Sequence, residues 1–324
     1  MYKLAVIGCG GLGMRYIQSL AQLSIEAVIY AVDVSKEALE KSRDLFEGNN
    51  PSERVKLYLC NKIDEIPEEI DIAAIVTTSG VRRALVEELL GSKQVKYLIL
   101  EKVLFPCLED YEAVEKLLKE KQIKTWINCN RRTIPFFSWL KDEFQNQKIR
   151  FELTGGAWGI GCNSIHYIDL INFITGSADG LAVQTEKLDN DITESKRSGY
   201  IEFTGTLEGA TDVCEYFSLH SEAGETGPVI YTISSNEKKC IVNESGGVAY
   251  MLRKREKWAL QTITLKAYYQ STLTSSLFEE IIQTGDCMLP DYETAQKEHI
   301  PFITSLLLFM NRDRKEKVTR CLIT

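Results

Sequence analysis

Apolar and polar positions follow two different rhythms along this chain. Lys3 to Ile7 is an apolar, β-branched run that stops at a glycine cluster, the pattern of a parallel strand buried on both faces. Met14 to Gln22 then carries apolar residues at helical spacing. A strand is predicted over Ala27 to Val32 and a helix over Ser35 to Phe46, with Ser35 placed to cap it. The alternation continues with a strand at Ile72 to Thr77, a helix at Arg82 to Leu90 and a strand at Tyr97 to Leu100. A helix at Glu109 to Glu120 and a strand at Thr125 to Asn128 close the series. Strand alternating with helix predicts crossover units and a doubly wound parallel sheet.

After about residue 150 the rhythm changes. Phe151 to Thr154 reads as a strand, and His166 to Thr175 as a helix ending at Gly176, which puts His166 at a helix start. Between 181 and 267 strand-like stretches dominate, among them Tyr200 to Thr206, Val229 to Ser234 and Gln261 to Ala267. Helical spacing returns at Ser271 to Gln283 and Tyr292 to Phe309. The expected fold class is α/β, with a C-terminal α/β domain built on a large, open, mostly antiparallel sheet. The expected domains are 1–125 and 126–324.

Composition narrows the function. The chain has 324 residues, 44% hydrophobic and 26% charged, enough to bury a core without disulfides or metals. Its net charge of −8, with no basic tract, argues against nucleic acid or an anionic membrane as partner. Nine scattered cysteines without a CxxC pair read as reduced thiols, and no long apolar run or leader pattern appears, so a cytoplasmic location is expected. Three histidines (166, 220 and 299) without metal-ligand spacing give no reason to expect a metal.

The glycine cluster carries the first chemistry. Gly8-Cys9-Gly10-Gly11-Leu12-Gly13 is a GxGxxG run between the first strand and the first helix. The first glycine permits the tight turn, the second lets backbone approach a pyrophosphate, and the third allows close helix–strand packing. The phosphates would lie over free helix amides. Asp33 ends the second strand 20 residues after Gly13, where a carboxylate bonds the adenosine ribose hydroxyls and repels a 2′-phosphate. NAD is therefore favoured over NADP, with Lys36 nearby as the counter-argument. Cys9 reads as a small filler within the loop.

Glu101-Lys102-Val103 follows a strand at the edge where parallel sheets bind ligands. With it stand Ile75-Val76-Thr77-Thr78, the turn Asn130-Arg131-Arg132, the run His166-Tyr167-Ile168-Asp169-Leu170-Ile171, and Leu289-Pro290-Asp291-Tyr292-Glu293. In order and spacing these segments resemble the Gfo/Idh/MocA oxidoreductases along nearly the whole chain. The resemblance implies an NAD(P)-binding Rossmann domain over 1–125 and a substrate-binding and oligomerisation domain over 126–324. It implies that Thr77, Thr78, Glu101 and Lys102 line the cofactor beside the glycine loop, with Lys102 and His166 catalytic. Two departures stand out. The family's Glu-Lys-Pro has Val103 for proline, and its usual aspartate four residues before the histidine is Cys162. Asn163 or Ser164 is the available substitute for that carboxylate.

The implied reaction interconverts a secondary alcohol and a ketone on a sugar, cyclitol or derivative such as a nucleotide sugar or sugar acid. Lys102 would hydrogen-bond the reacting oxygen, and His166, whose unperturbed pKa is ~6.5, would take its proton. Arg131 is placed to hold an anionic group of the substrate, Trp158 to stack on a sugar ring and Asn163 to hydrogen-bond it. His220 and His299 are expected to be structural, His299 on a surface helix. The resemblance also implies a homo-oligomer, a dimer or tetramer. Two other functions fit the same motifs: a redox-neutral epimerase or dehydratase that retains NAD, and a non-catalytic dinucleotide or sugar sensor.

Overall fold

The structure, a computed structural model, describes residues 1–224 and 226–324. In chain order its elements begin β1 (Tyr2–Ile7), α1 (Gly11–Leu20), β2 (Ala27–Val32), α2 (Lys36–Gly48), β3 (Val55–Cys60) and β4 (Glu69–Ile75). They continue with α3 (Ser79–Ser92), β5 (Gln94–Leu100), α4 (Leu108–Lys121), β6 (Lys124–Ile127), α5 (Pro135–Phe144), β7 (Ile149–Gly156) and α6 (Ile160–Thr175). A run of strands follows: β8 (Ala182–Leu188), β9 (Thr193–Glu194), β10 (Ile201–Glu202), β11 (Gly205–Ala210), β12 (Cys214–Glu222) and β13 (Ile230–Ser234). The last elements are β14 (Lys238–Asn243), β15 (Val248–Arg253), β16 (Gln261–Thr264), α7 (Gln270–Thr284) and α8 (Tyr292–Asn311).

The chain divides into two compact units. The first comprises Met1–Phe105, Glu109–Thr133 and Tyr268–Tyr292; the second comprises Pro106–Leu108, Ile134–Ala267 and Glu293–Thr324. The first unit thus runs past 125 to Thr133, and the chain returns to it twice, at Glu109 after a three-residue excursion and at Tyr268. The reason is packing. Leu277, Phe278 and Ile281 of α7 are buried in one cluster with Tyr16, Ile17 and Leu20 of α1. Ser19 Oγ accepts from the Ser275 amide at 2.9 Å.

The first unit holds a six-stranded parallel sheet in the order β3-β2-β1-β4-β5-β6. Strand order reverses between β1 and β4, which opens a crevice at their carboxyl ends. The strands appear where the apolar runs predict them, and Ser35 Oγ caps α2 by accepting from the Ala38 amide at 3.2 Å. Sequence reasoning missed β3, an edge strand whose side chains alternate rather than forming a buried run. It also missed α5, which Pro135 opens at the position that tolerates a missing amide.

The second unit is built on an eight-stranded sheet, β16-β15-β14-β13-β7-β12-β11-β8, antiparallel except for the β7–β12 pair. One stretch expected as a single strand, Tyr200 to Thr206, is broken at Phe203 and Thr204. Its first part pairs with β9 as a separate ribbon. Helix α6 is fixed on the sheet through Tyr167, which meets the rings of Phe151 at 6.2 Å and Tyr231 at 5.8 Å. His166 lies inside α6 as its seventh residue, not at its start, and the helix ends at the left-handed Gly176 as expected. His299 is wholly buried in α8, not on a surface helix, with Nδ1 2.8 Å from the Ala295 carbonyl oxygen.

A charged cluster ties α5 to the sheet: Glu143 contacts Arg253 at 2.7 Å and Lys238 at 2.8 Å. These cations, Arg253 foremost, hold the Glu143 carboxyl down to about 2. A depressed folded pKa stabilises above the unfolded value of 4.5 and loses that contribution as pH falls toward about 2. Solvent screening of the partly exposed group keeps the effect at roughly 1–2 kcal/mol. Glu143→Gln should lower unfolding free energy by that amount at neutral pH. The gap from the parent should close as denaturation is repeated at progressively lower pH.

Candidate active site

The glycine loop is set by sterics. Gly8 has φ +96°, and a Cβ there would meet Thr77 Cγ2 at 2.6 Å. A Cβ on Gly13 would lie 1.9 Å from the Gly8 carbonyl oxygen, so the first turn of α1 can pack against the loop only with glycine. Gly10 and Gly11 differ, since nothing lies within 4 Å of a Cβ built on either. That open space fronts the start of α1, whose N-cap Gly10 supplies no side-chain cap and whose first turn has no acid. Leu12, between Gly11 and Gly13, packs partly buried against the core.

Asp33 is anchored beside the loop. One carboxylate oxygen accepts from the Cys9 amide at 2.7 Å and the other from the Ser35 amide at 2.8 Å. Cys9 is the buried filler expected: burial, then the nearby Asp33 charge, pushes its thiol up to about 12. Thr77 and Thr78 follow β4, and Thr77 Oγ1 is buried without a hydrogen-bond partner.

Glu101 and Lys102 follow β5, and Glu101 is only 3% exposed. Its Oε1 accepts from Tyr16 Oη at 2.7 Å and from Asn128 Nδ2 at 2.6 Å. Burial raises the Glu101 pKa, opposed by those two hydrogen bonds and by the charges of Arg82 and Lys102. Asn128 and Asn130 both donate to Gln270 Oε1, at 3.1 and 2.9 Å, which joins α7 to this edge. The Lys102–Val103 peptide is cis. Arg131 belongs to the short 3-10 turn Asn130–Thr133 at the end of this stretch of the first unit.

Arg82 is the residue sequence reasoning passed over. It is 0% exposed, and its guanidinium donates to the carbonyl oxygens of Thr77, Val103 and Leu104. One buried side chain thereby ties the segment after β4 to the segment carrying Lys102. Arg82→Met would strand three buried acceptors, and we expect a loss of about 3–5 kcal/mol in denaturant unfolding. An unchanged midpoint would show that other donors reach those carbonyls.

The second unit contributes a cavity of about 890 Å3 that includes Trp158, Cys162, Asn163, Glu202 and Ser221 in its lining. Trp158 Nε1 donates to the His220 carbonyl oxygen at 2.7 Å, and Asn163 Nδ2 donates to the Trp158 carbonyl oxygen at 2.6 Å. His166 is half-buried three residues beyond Asn163, on the same face of α6. Ser164 is fully buried. A carboxylate does reach this end of the helix, from another strand: Glu202 accepts from the Gly161 amide and, at 3.3 Å, from the Cys162 amide. No local sequence signal marks Glu202, because forty residues separate it from the helix it caps.

Among the described residues no group of three or more His, Cys, Asp or Glu side chains is arranged to hold a metal. No helix among them is long and apolar enough to cross a membrane.

A parallel sheet in this order, with a glycine turn leading into α1 and an acid closing β2, defines a dinucleotide-binding Rossmann domain. Residues 2–129 match the Gfo/Idh/MocA family model, described as an oxidoreductase family with an NAD-binding Rossmann fold. The whole chain is similar in fold to UDP-N-acetylglucosamine 3-dehydrogenase from Acidithiobacillus ferrooxidans, with 16% identity and TM-score 0.70 over 94% of this chain and 96% of that one. It is also similar to a Gfo/Idh/MocA family oxidoreductase from Vibrio cholerae, with 17% identity and TM-score 0.69 over 96% and 99%. A third similar structure is biliverdin reductase with biliverdin and NADP+ from Synechocystis sp. PCC 6803, with 12% identity and TM-score 0.70 over 94% and 98%. No curated protein matches the chain.

Proposed function

We propose that this protein is an NAD-dependent oxidoreductase that interconverts a secondary alcohol and a ketone on a sugar or cyclitol. The observation that carries the cofactor part is the open space over Gly10, a cradle that any Cβ would begin to fill, in front of uncapped α1 amides. The buried, unpartnered Thr77 Oγ1 fits the same ligand. Asp33, fixed by two backbone amides, favours the ribose hydroxyls of NAD over the phosphate of NADP. Bound nicotinamide supplies the two-electron chemistry.

The chain's own residues orient the substrate and handle its proton. Lys102 is assigned to hydrogen-bond the reacting oxygen and stabilise its developing charge, and Arg82 holds the backbone that follows Lys102. His166 is assigned to take the hydroxyl proton. Arg131 is assigned to substrate binding along with Trp158 and Asn163. Glu202 supplies, from β10, a negative charge at the end of α6 where position 162 has none. The test is net reduction of NAD, followed by absorbance, across a panel of sugars and cyclitols. Turnover with NAD and little with NADP supports the reading. Substrate conversion without net NAD reduction would instead identify an enzyme that retains its cofactor.

A further inference from the structure

The cavity in the second unit has a chemistry that the general reading leaves unspecified. Its lining includes one fully buried hydroxyl: Ser221 is 1% exposed, and its Oγ has no hydrogen-bond partner. An unpaired hydroxyl in such a place costs stability unless a ligand completes it. The pairing of Ser221 with Gly155, across β12 and β7, puts it beside the turn that leads to Trp158. The charged lining is unbalanced, with Asp189, Asp191, Glu194 and Glu202 set against Lys196 and Arg197. Glu202 is half-buried, while the two cations and the other three acids stand exposed.

We infer that this cavity is a subsite for a polyhydroxylated ligand of sugar size that carries no anionic group, with hydroxyls paired to Ser221. An amino group is tolerated or favoured; a carboxylate or diphosphate is opposed by the lining. The volume of about 890 Å3 is within the range of small-molecule pockets. Asn163 lines it one helical turn before His166, so a ligand seated here would be a substrate's recognition portion rather than its reacting carbon. This inference rests on the sugar oxidoreductase reading and narrows it by excluding sugar acids and nucleotide sugars.

The experiment is isothermal titration of the full chain with glucosamine, myo-inositol, glucuronate and UDP-N-acetylglucosamine, each with and without saturating NADH. Glucosamine and myo-inositol should bind at least about ten-fold more tightly than the two anionic probes. Glu202→Gln should shrink the preference of glucosamine over glucuronate. Ser221→Ala should weaken the two accepted ligands about five-fold or more while leaving the melting temperature of the free protein unchanged or higher. A hydroxyl with a merely structural role would give the reverse, a lower melting temperature and unchanged binding. Equal or tighter binding of glucuronate or UDP-N-acetylglucosamine, or binding of none of the four, overturns the inference. NADH binding reports separately on the oxidoreductase reading: its loss with the sugar preference intact would sink that reading and leave the subsite standing.

Discussion

Lys102→Met should lower the turnover number by roughly a hundred- to ten-thousand-fold, the range for removing a group that handles charge and proton at the reacting oxygen. Methionine keeps an unbranched side chain of similar reach, and the backbone beyond it remains tied by Arg82 to the carbonyls of Val103 and Leu104. NADH affinity should therefore be retained. A fall in turnover with intact NADH binding separates chemistry from cofactor capture, and single-turnover kinetics with saturating NAD would measure it. Full activity in the variant would remove Lys102 from the mechanism. Loss of NADH binding along with activity would give the lysine a cofactor role alone.

The second large effect separates two glycines that look equivalent in the sequence. Gly13→Ala would drive a Cβ to within 1.9 Å of the Gly8 carbonyl oxygen, and backbone cannot yield to that cheaply. We expect it to destabilise the first unit by several kcal/mol, on the order of a severe overpacking change. Gly10→Val, in contrast, meets nothing within 4 Å at its Cβ. Its melting temperature should stay near that of the parent while NADH affinity falls at least about a hundred-fold, because the branched side chain occupies the space a pyrophosphate needs. Thermal unfolding read beside NADH titration for both variants checks this. Tight NADH binding by Gly10→Val would show that the cradle is not used.

Much of the first unit was legible because its signals are local. A buried parallel strand reads as an apolar run, and β1, β2, β4 and β5 all appear where such runs occur. The glycine loop and Asp33 are recognisable from spacing, and the loop sterics and the two amides on Asp33 supply the physical reason for that spacing. What stayed hidden depends on partners far apart in the chain. Tyr16 meets Glu101 across 85 residues, and Asn128 meets Gln270 across 142. Neither pair has a periodicity to betray it. Helix α7 reads as an ordinary amphipathic segment, and only its packing on α1 assigns it to the first unit. Arg82 reads as a polar residue of a surface helix until three carbonyl oxygens are seen around it. In the second unit, Cys162 stands where the resemblance implies an acid, and Glu202, which brings a carboxylate to that helix end, lies forty residues away on β10.

Whether the first unit holds NAD is decided by fluorescence titration of the nucleotide-free protein with NADH and, separately, NADPH. Saturable NADH binding at least about ten-fold tighter than NADPH binding is expected, the preference arising from the Asp33 carboxylate. Binding of neither nucleotide would contradict it, and would leave a Rossmann scaffold whose glycine cradle serves some other ligand.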